Sequence, residues 1–94
     1  MGEVQLTGRL VCRTTEESNL VKRFLHDHVS LTRLEPGCLS FEVTQTDDPL
    51  VWRVEERFNS EAAFECHQDR VASSEWGRMT AGITRDYSIV KHTG

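Results

Sequence analysis

Apolar and polar residues largely alternate from Val4 to Arg13, with Val4, Leu6, Gly8, Leu10 and Cys12 on one side and Gln5, Thr7, Arg9, Val11 and Arg13 on the other. A period of two predicts a strand with one buried face. The period then changes. Leu20, Val21, Phe24, Leu25 and Val29 fall at helical spacing, and Thr14 followed by Glu17 is a Thr-x-x-Glu capping box, so a helix is predicted from about Thr15 to Arg33. It should stop near Leu34, because Pro36 disfavours helical dihedrals at Glu35 and Gly37 permits a turn that other residues resist.

After that turn the period of two returns. Leu39, Phe41 and Val43 alternate with Ser40, Glu42 and Thr44, and Thr46-Asp47-Asp48-Pro49 supplies turn chemistry before a second run from Leu50 to Phe58, which predicts a hairpin. In the second run Trp52, Val54, Glu56 and Phe58 share a face, so one acid sits on the apolar side. Asn59 or Ser60 can cap a second helix, on which Ala63, Phe64, His67 and Val71 form one stripe. Ser73-Ser74-Glu75-Trp76 reads as a break and a short helical turn, Gly82 marks a loop, and Tyr87, Ile89 and Val90 belong to a last strand.

The order β-α-β-β-α-β predicts an α+β, ferredoxin-like split βαβ fold: a four-stranded antiparallel sheet with two helices on one face, in a single domain spanning residues 1–94. The other face should carry Thr7, Arg9, Val11, Ser40, Glu42, Arg53, Glu55, Arg57 and Ser88, a mixed-charge surface that suits either solvent or an equivalent face of a second subunit.

Composition narrows the field of partners. A net charge of -4 with 11 scattered Lys and Arg argues against nucleic acid, which needs clustered cations. Three cysteines, Cys12, Cys38 and Cys66, without a CxxC spacing fit neither a disulfide framework nor a zinc ribbon, and predict reduced thiols in a cytoplasm. No stretch reaches the ~18 apolar residues of a membrane span, and the N-terminus lacks the pattern of an export signal. A domain of 94 residues buries a modest core, so self-association would help it. His26 and His28 are two apart on a helix and do not form a metal pair, while His92 falls in a fraying tail. Phosphate-loop, dinucleotide and nucleophile-elbow motifs do not occur.

Several segments taken together carry a resemblance. HxxLTRLEPGCLSFEVTQ from His28, VEERFNSEAAFECHQ from Val54, the SSEW segment and a closing RDY resemble the antibiotic biosynthesis monooxygenase family, small dimeric α+β barrel proteins that include quinol monooxygenases. The resemblance implies a homodimer through the uncovered sheet faces and a pocket between each sheet and its helices. It also implies oxidation of a small phenol or hydroquinone to a quinone by O2 without metal, flavin or haem. Haem-degrading relatives use an Asn on the first strand, and the earliest Asn here is Asn19, in the predicted helix.

Such chemistry needs a base and a dry pocket. His67, which matches the His after AFE in the family block, is the first candidate, against a core histidine satisfied by its neighbours. Glu56 could orient His67 by accepting a ring proton, or form a structural buried pair with it. Trp76, at a position that often lines the family's pocket, and Trp52 offer flat walls for an aromatic substrate, against simple core packing. Tyr87 could hydrogen-bond a substrate oxygen, against cross-strand packing. The LEPGCLSFEV segment marks the scaffold, and none of its side chains leads the chemistry. A different class of function remains open: a non-catalytic ligand-binding or stress-response module on the same dimer.

Overall fold

Thr14 opens the first helix, α1 (Thr15–Arg33), in a computed structural model that describes residues 2–92. Its hydroxyl accepts the Glu17 N–H at 3.2 Å, while the Glu17 carboxylate takes the N–H of Arg13, not that of Thr14 as a capping box would, at 2.7 Å. Both ends of α1 fall where the spacing predicts. Beyond Leu34 the chain turns through Gly37, whose φ of +90° lies in the region that favours glycine, and a Cβ there would meet that of Ala63 at 2.6 Å. This corner is tied to the start of the second helix, because Asn59 N–H donates to the Gly37 carbonyl at 2.8 Å.

Four antiparallel strands, β1 (Val4–Val11), β2 (Cys38–Gln45), β3 (Val51–Phe58) and β4 (Thr84–Lys91), lie in the spatial order β2-β3-β1-β4. Helices α1 and α2 (Glu61–Ala72), with the short α3 (Glu75–Met79), complete the predicted α+β ferredoxin-like arrangement. Ser60, of the two candidates, caps α2, its hydroxyl accepting the Ala63 N–H at 3.1 Å. On β3 the alternation is carried out in full: Trp52, Val54, Glu56 and Phe58 are buried and Arg53, Glu55 and Arg57 exposed. Phe41, Phe58, Leu6, Leu10, Val4 and Val21 form the centre of the core between sheet and helices.

One strand residue departs from the expected alternation. Leu39, expected on the buried side with Phe41 and Val43, is half exposed, because the register shifts between Cys38 and Ser40 and Leu39 becomes the extra residue of an irregularity at the sheet edge. His92, expected in a fraying tail, still donates its backbone N–H to Glu3 O at 2.8 Å. The uncovered face carries the expected charges, and several pair within the chain: Arg9 with Asp86 at 2.8 Å, Arg57 with Glu3 at 2.8 Å and Arg33 with Glu42 at 3.2 Å. Among the described residues no helix is long and apolar enough to cross a membrane.

Candidate functional site

His67 enters the core from the buried stripe of α2, and its ring packs 4.9 Å from Phe58 and 5.8 Å from Phe41 between centroids. Its Nδ1 lies 2.8 Å from Glu35 Oε1. A carboxylate can only accept, so this contact assigns the hydrogen to Nδ1 and leaves the lone pair on Nε2. The second Glu35 oxygen accepts from Arg70 Nε, Arg70 Nη2 donates to Thr32 Oγ1 at 2.9 Å, and Thr32 donates to the His28 carbonyl at 2.8 Å. Glu35 owes its position to the end of α1, where its N–H bonds Thr32 O at 3.0 Å before Pro36 redirects the chain.

This arrangement corrects one of the two roles expected of Glu56, that of orienting His67. Its Oε1 stands 3.7 Å from His67 Nε2, beyond hydrogen-bond reach, and has no partner although it is buried. Glu35 holds the ring instead. The segment expected to supply only scaffold thus supplies the carboxylate behind the histidine. Burial, and next the nearby Glu35 charge, push the Glu56 carboxyl up to about 7. Burial lowers the His67 pKa against the opposing pull of Glu35, which keeps the imidazole neutral and basic near pH 7.

Beside these groups a cavity of about 400 Å³ opens between sheet and helices. His67, Glu56, Trp76 and Tyr87 line it, and so does His28, which was not a candidate. His28 stacks on Trp76 with centroids 4.5 Å apart and planes 3° from parallel. Its burial first, then the positive charges near it, lower its pKa to about 3, so it is a neutral wall with an unpartnered Nδ1. Ser74, capping α3 through the Gly77 N–H at 3.0 Å, sets Trp76 against it. Tyr87 lies across β1 at Gly8, where a Cβ would come within 2.8 Å of the Tyr87 ring, and burial raises its phenol to about 12. Trp52, expected as a second wall, does not border this cavity. Its indole N–H donates to Ser18 Oγ at 3.1 Å, and Ser18 donates to Pro49 O at 2.7 Å, so Trp52 ties α1 to the hairpin. Among the described residues no group of three or more His, Cys, Asp or Glu side chains is placed to hold a metal ion.

A neutral imidazole fixed by a carboxylate beside an aromatic-walled cavity is equipped to take a proton from a bound hydroxyl. The sequence profile of the antibiotic biosynthesis monooxygenase family matches residues 11–78. The chain belongs to this family. Curated proteins gave no match. Among solved structures, a Pseudomonas aeruginosa protein superposes with a TM-score of 0.72 at 22% identity, covering 97% of this chain and 92% of that one. A Nitrosomonas europaea protein, whose name assigns it provisionally to the same monooxygenases, gives 0.75 at 18% identity over 99% and 89%. A Mycobacterium tuberculosis protein gives 0.70 at 21% identity over 98% and 94%. At these identities the likeness shows a common fold.

The antibiotic biosynthesis monooxygenase match takes in Glu35, Glu56, His67 and Trp76 and ends before Arg85 and Tyr87 on β4. Of His28 and Glu35, which sequence reasoning missed, only the first had a readable signal. His28 follows Val21 by seven and precedes Thr32 by four, which puts it on the buried stripe of α1. Glu35 had none, since its partners lie on α2, 32 and 35 residues away.

Proposed function

We propose that this family member is a cofactor-independent monooxygenase that oxidises a small phenol or hydroquinone to a quinone with O2. The observation that carries the reading is the lone pair of His67 Nε2, fixed by Glu35 through Nδ1, beside a cavity of about 400 Å³ walled by Trp76 and His28. That volume suits an aromatic of one to three rings. His67 takes the hydroxyl proton, and the electron-rich phenolate passes electrons to O2. A ring carbon forms a C–O bond to the reduced oxygen, the O–O bond of the resulting hydroperoxide breaks, and water leaves as the carbonyl forms. The ring loses four electrons and O2 gains four, one oxygen ending in the quinone and one in water; a hydroquinone gives a hydroxyquinone by the same steps. Glu56, with a carboxyl at about 7 and no partner on Oε1, exchanges a proton with the peroxide oxygens.

A purely ligand-holding role is less well supported, because His67 has a hydrogen-bond partner on one nitrogen only and the cavity is not filled by side chains. Oxygen uptake with a panel of small quinols tests the proposal. His67→Ala is expected to lose about 100-fold or more of the rate, and uptake at the wild-type rate in that variant overturns the assignment.

The same reading includes a homodimer through the uncovered sheet face. In support, like charges stand directly opposite across strands there, Arg9 with Arg53 and Glu42 with Glu55, a pattern that a two-fold related copy can offset by laying arginines over glutamates. Light scattering is expected to give twice the chain mass, and a mass of one chain at micromolar concentration contradicts it.

A further inference from the structure

Arg85 is the cation of the cavity wall that has no acid of its own. It projects from β4, borders the cavity, and among the described residues has no carboxylate within ion-pair distance. Acids are not scarce in a chain of net charge -4, and Arg70, the other arginine near the site, is paired with Glu35. Arg85 is nevertheless held firmly. Nη1 donates to the carbonyls of Thr80 and Ile83, the latter at 2.9 Å, and Nη2 donates to Thr80 Oγ1 at 2.8 Å; Thr80 is fully buried and donates in turn to Trp76 O at 2.6 Å. Three of five guanidinium hydrogens are thereby used. The remaining two, on Nε and Nη2, have no acceptor at full hydrogen-bond distance among the described residues, with the Tyr87 phenol near enough to interact weakly with Arg85, and they can form the fork that a carboxylate fits with two parallel bonds.

The strand register separates this fork from the proton-accepting end. On the covered face Glu56 sits opposite Leu6, Tyr87 opposite Gly8 and Arg85 opposite Leu10. Leu6 and Leu10 are four residues apart, roughly 13 Å along the strand. Electrostatics agree: the Arg85 charge bears on His28 and on the Tyr87 phenol, Glu35 bears on Glu56, and Tyr87 between them feels both Arg85 and Glu56.

The geometry points to Arg85 as an anion-binding residue of the cavity and to a hydroxyaryl carboxylate as its ligand, with the phenol at the His67 and Glu56 end and the carboxylate on the open edge of the guanidinium. The placing of the phenol rests on the proposed function; the anion preference rests on Arg85. Arg85 lies outside residues 11–78, the segment that the family match covers.

Calorimetric titration of the full chain with 6-hydroxy-2-naphthoate and its neutral isostere 6-hydroxy-2-naphthamide, near pH 7.5, tests this without requiring turnover. The carboxylate is expected to bind about tenfold tighter than the amide. Arg85→Gln is expected to abolish that difference while leaving the amide's affinity within about threefold, and Arg85→Lys to keep part of it, since a lysine retains charge without the fork. Equal affinity of the two ligands for the wild-type protein overturns the inference and leaves the phenol reading intact. Equal weakening of both ligands in Arg85→Gln and Arg85→Lys assigns Arg85 to holding the Thr80 to Ile83 turn alone and also overturns it. Failure of both ligands to bind at ~1 mM overturns the inference together with the aromatic pocket beneath it.

Discussion

The two faces of this sheet both carry acids and bases, yet charge has opposite meanings on them. On the uncovered face Arg9 and Asp86 remain 57% and 63% exposed, and water screens what they gain from each other. Against the covered face, where the helices pack, His67 of α2 is 2% and Glu35 of the α1–β2 turn 15% exposed, so each charge there must be paired, neutralised or compensated. Position in the alternating pattern, more than the number of charged residues, decides which of them can do chemistry.

The largest expected effect lies in the buried chain from Thr32 to His67. Glu35→Gln keeps an acceptor for His67 Nδ1 but leaves Arg70 without its counter-charge and the imidazolium without stabilisation. It is expected to lower oxygen uptake about 10- to 100-fold and unfolding free energy by about 2 kcal/mol, read by oxygen electrode and urea denaturation. A rate within twofold of wild type would remove Glu35 from the account.

Glu56 offers a subtler comparison through pH. Its carboxyl is raised from 4.5 to about 7, so the folded state holds a proton that the unfolded state releases. The stability this contributes is fully present below about pH 4.5 and is lost as pH rises through about 7. Glu56→Gln cannot titrate. Its stability relative to wild type is therefore expected to improve between pH 5 and pH 8, by on the order of 2 kcal/mol; His28 and His67 titrate in both proteins and cancel from the difference. A difference independent of pH contradicts the assignment. The smallest effect on folding belongs to the open face, where Arg53→Glu should change the chain's own unfolding free energy by under about 0.5 kcal/mol while shifting the light-scattering mass toward a single chain.

Legibility in the sequence followed the range of the forces involved. The limits of α1, the Pro36-Gly37 corner and the β3 alternation rest on contacts between near neighbours, and each could be read directly. Within the site, His67 and Glu56 were legible as polar residues on apolar faces, and Trp76 followed from the family likeness. Glu35 was hidden because Pro36 gave it a sufficient local explanation as a helix stop, while its partners come from a distant helix. Leu39 misled for a similar reason: an irregularity in register depends on β3 across the pair and leaves no mark in the alternation of β2 itself. Trp52 looked like a pocket wall until its indole was seen to bond Ser18 on α1.

The central claim is that Glu35 fixes His67 as a neutral base with its lone pair on Nε2. Nitrogen-15 NMR of the imidazole near pH 7.5 reads this directly. The account predicts a protonated, pyrrole-type Nδ1 and a pyridine-type Nε2 for His67, a pattern lost in Glu35→Ala. A hydrogen on Nε2 with a bare Nδ1, or a doubly protonated ring at that pH, would contradict it.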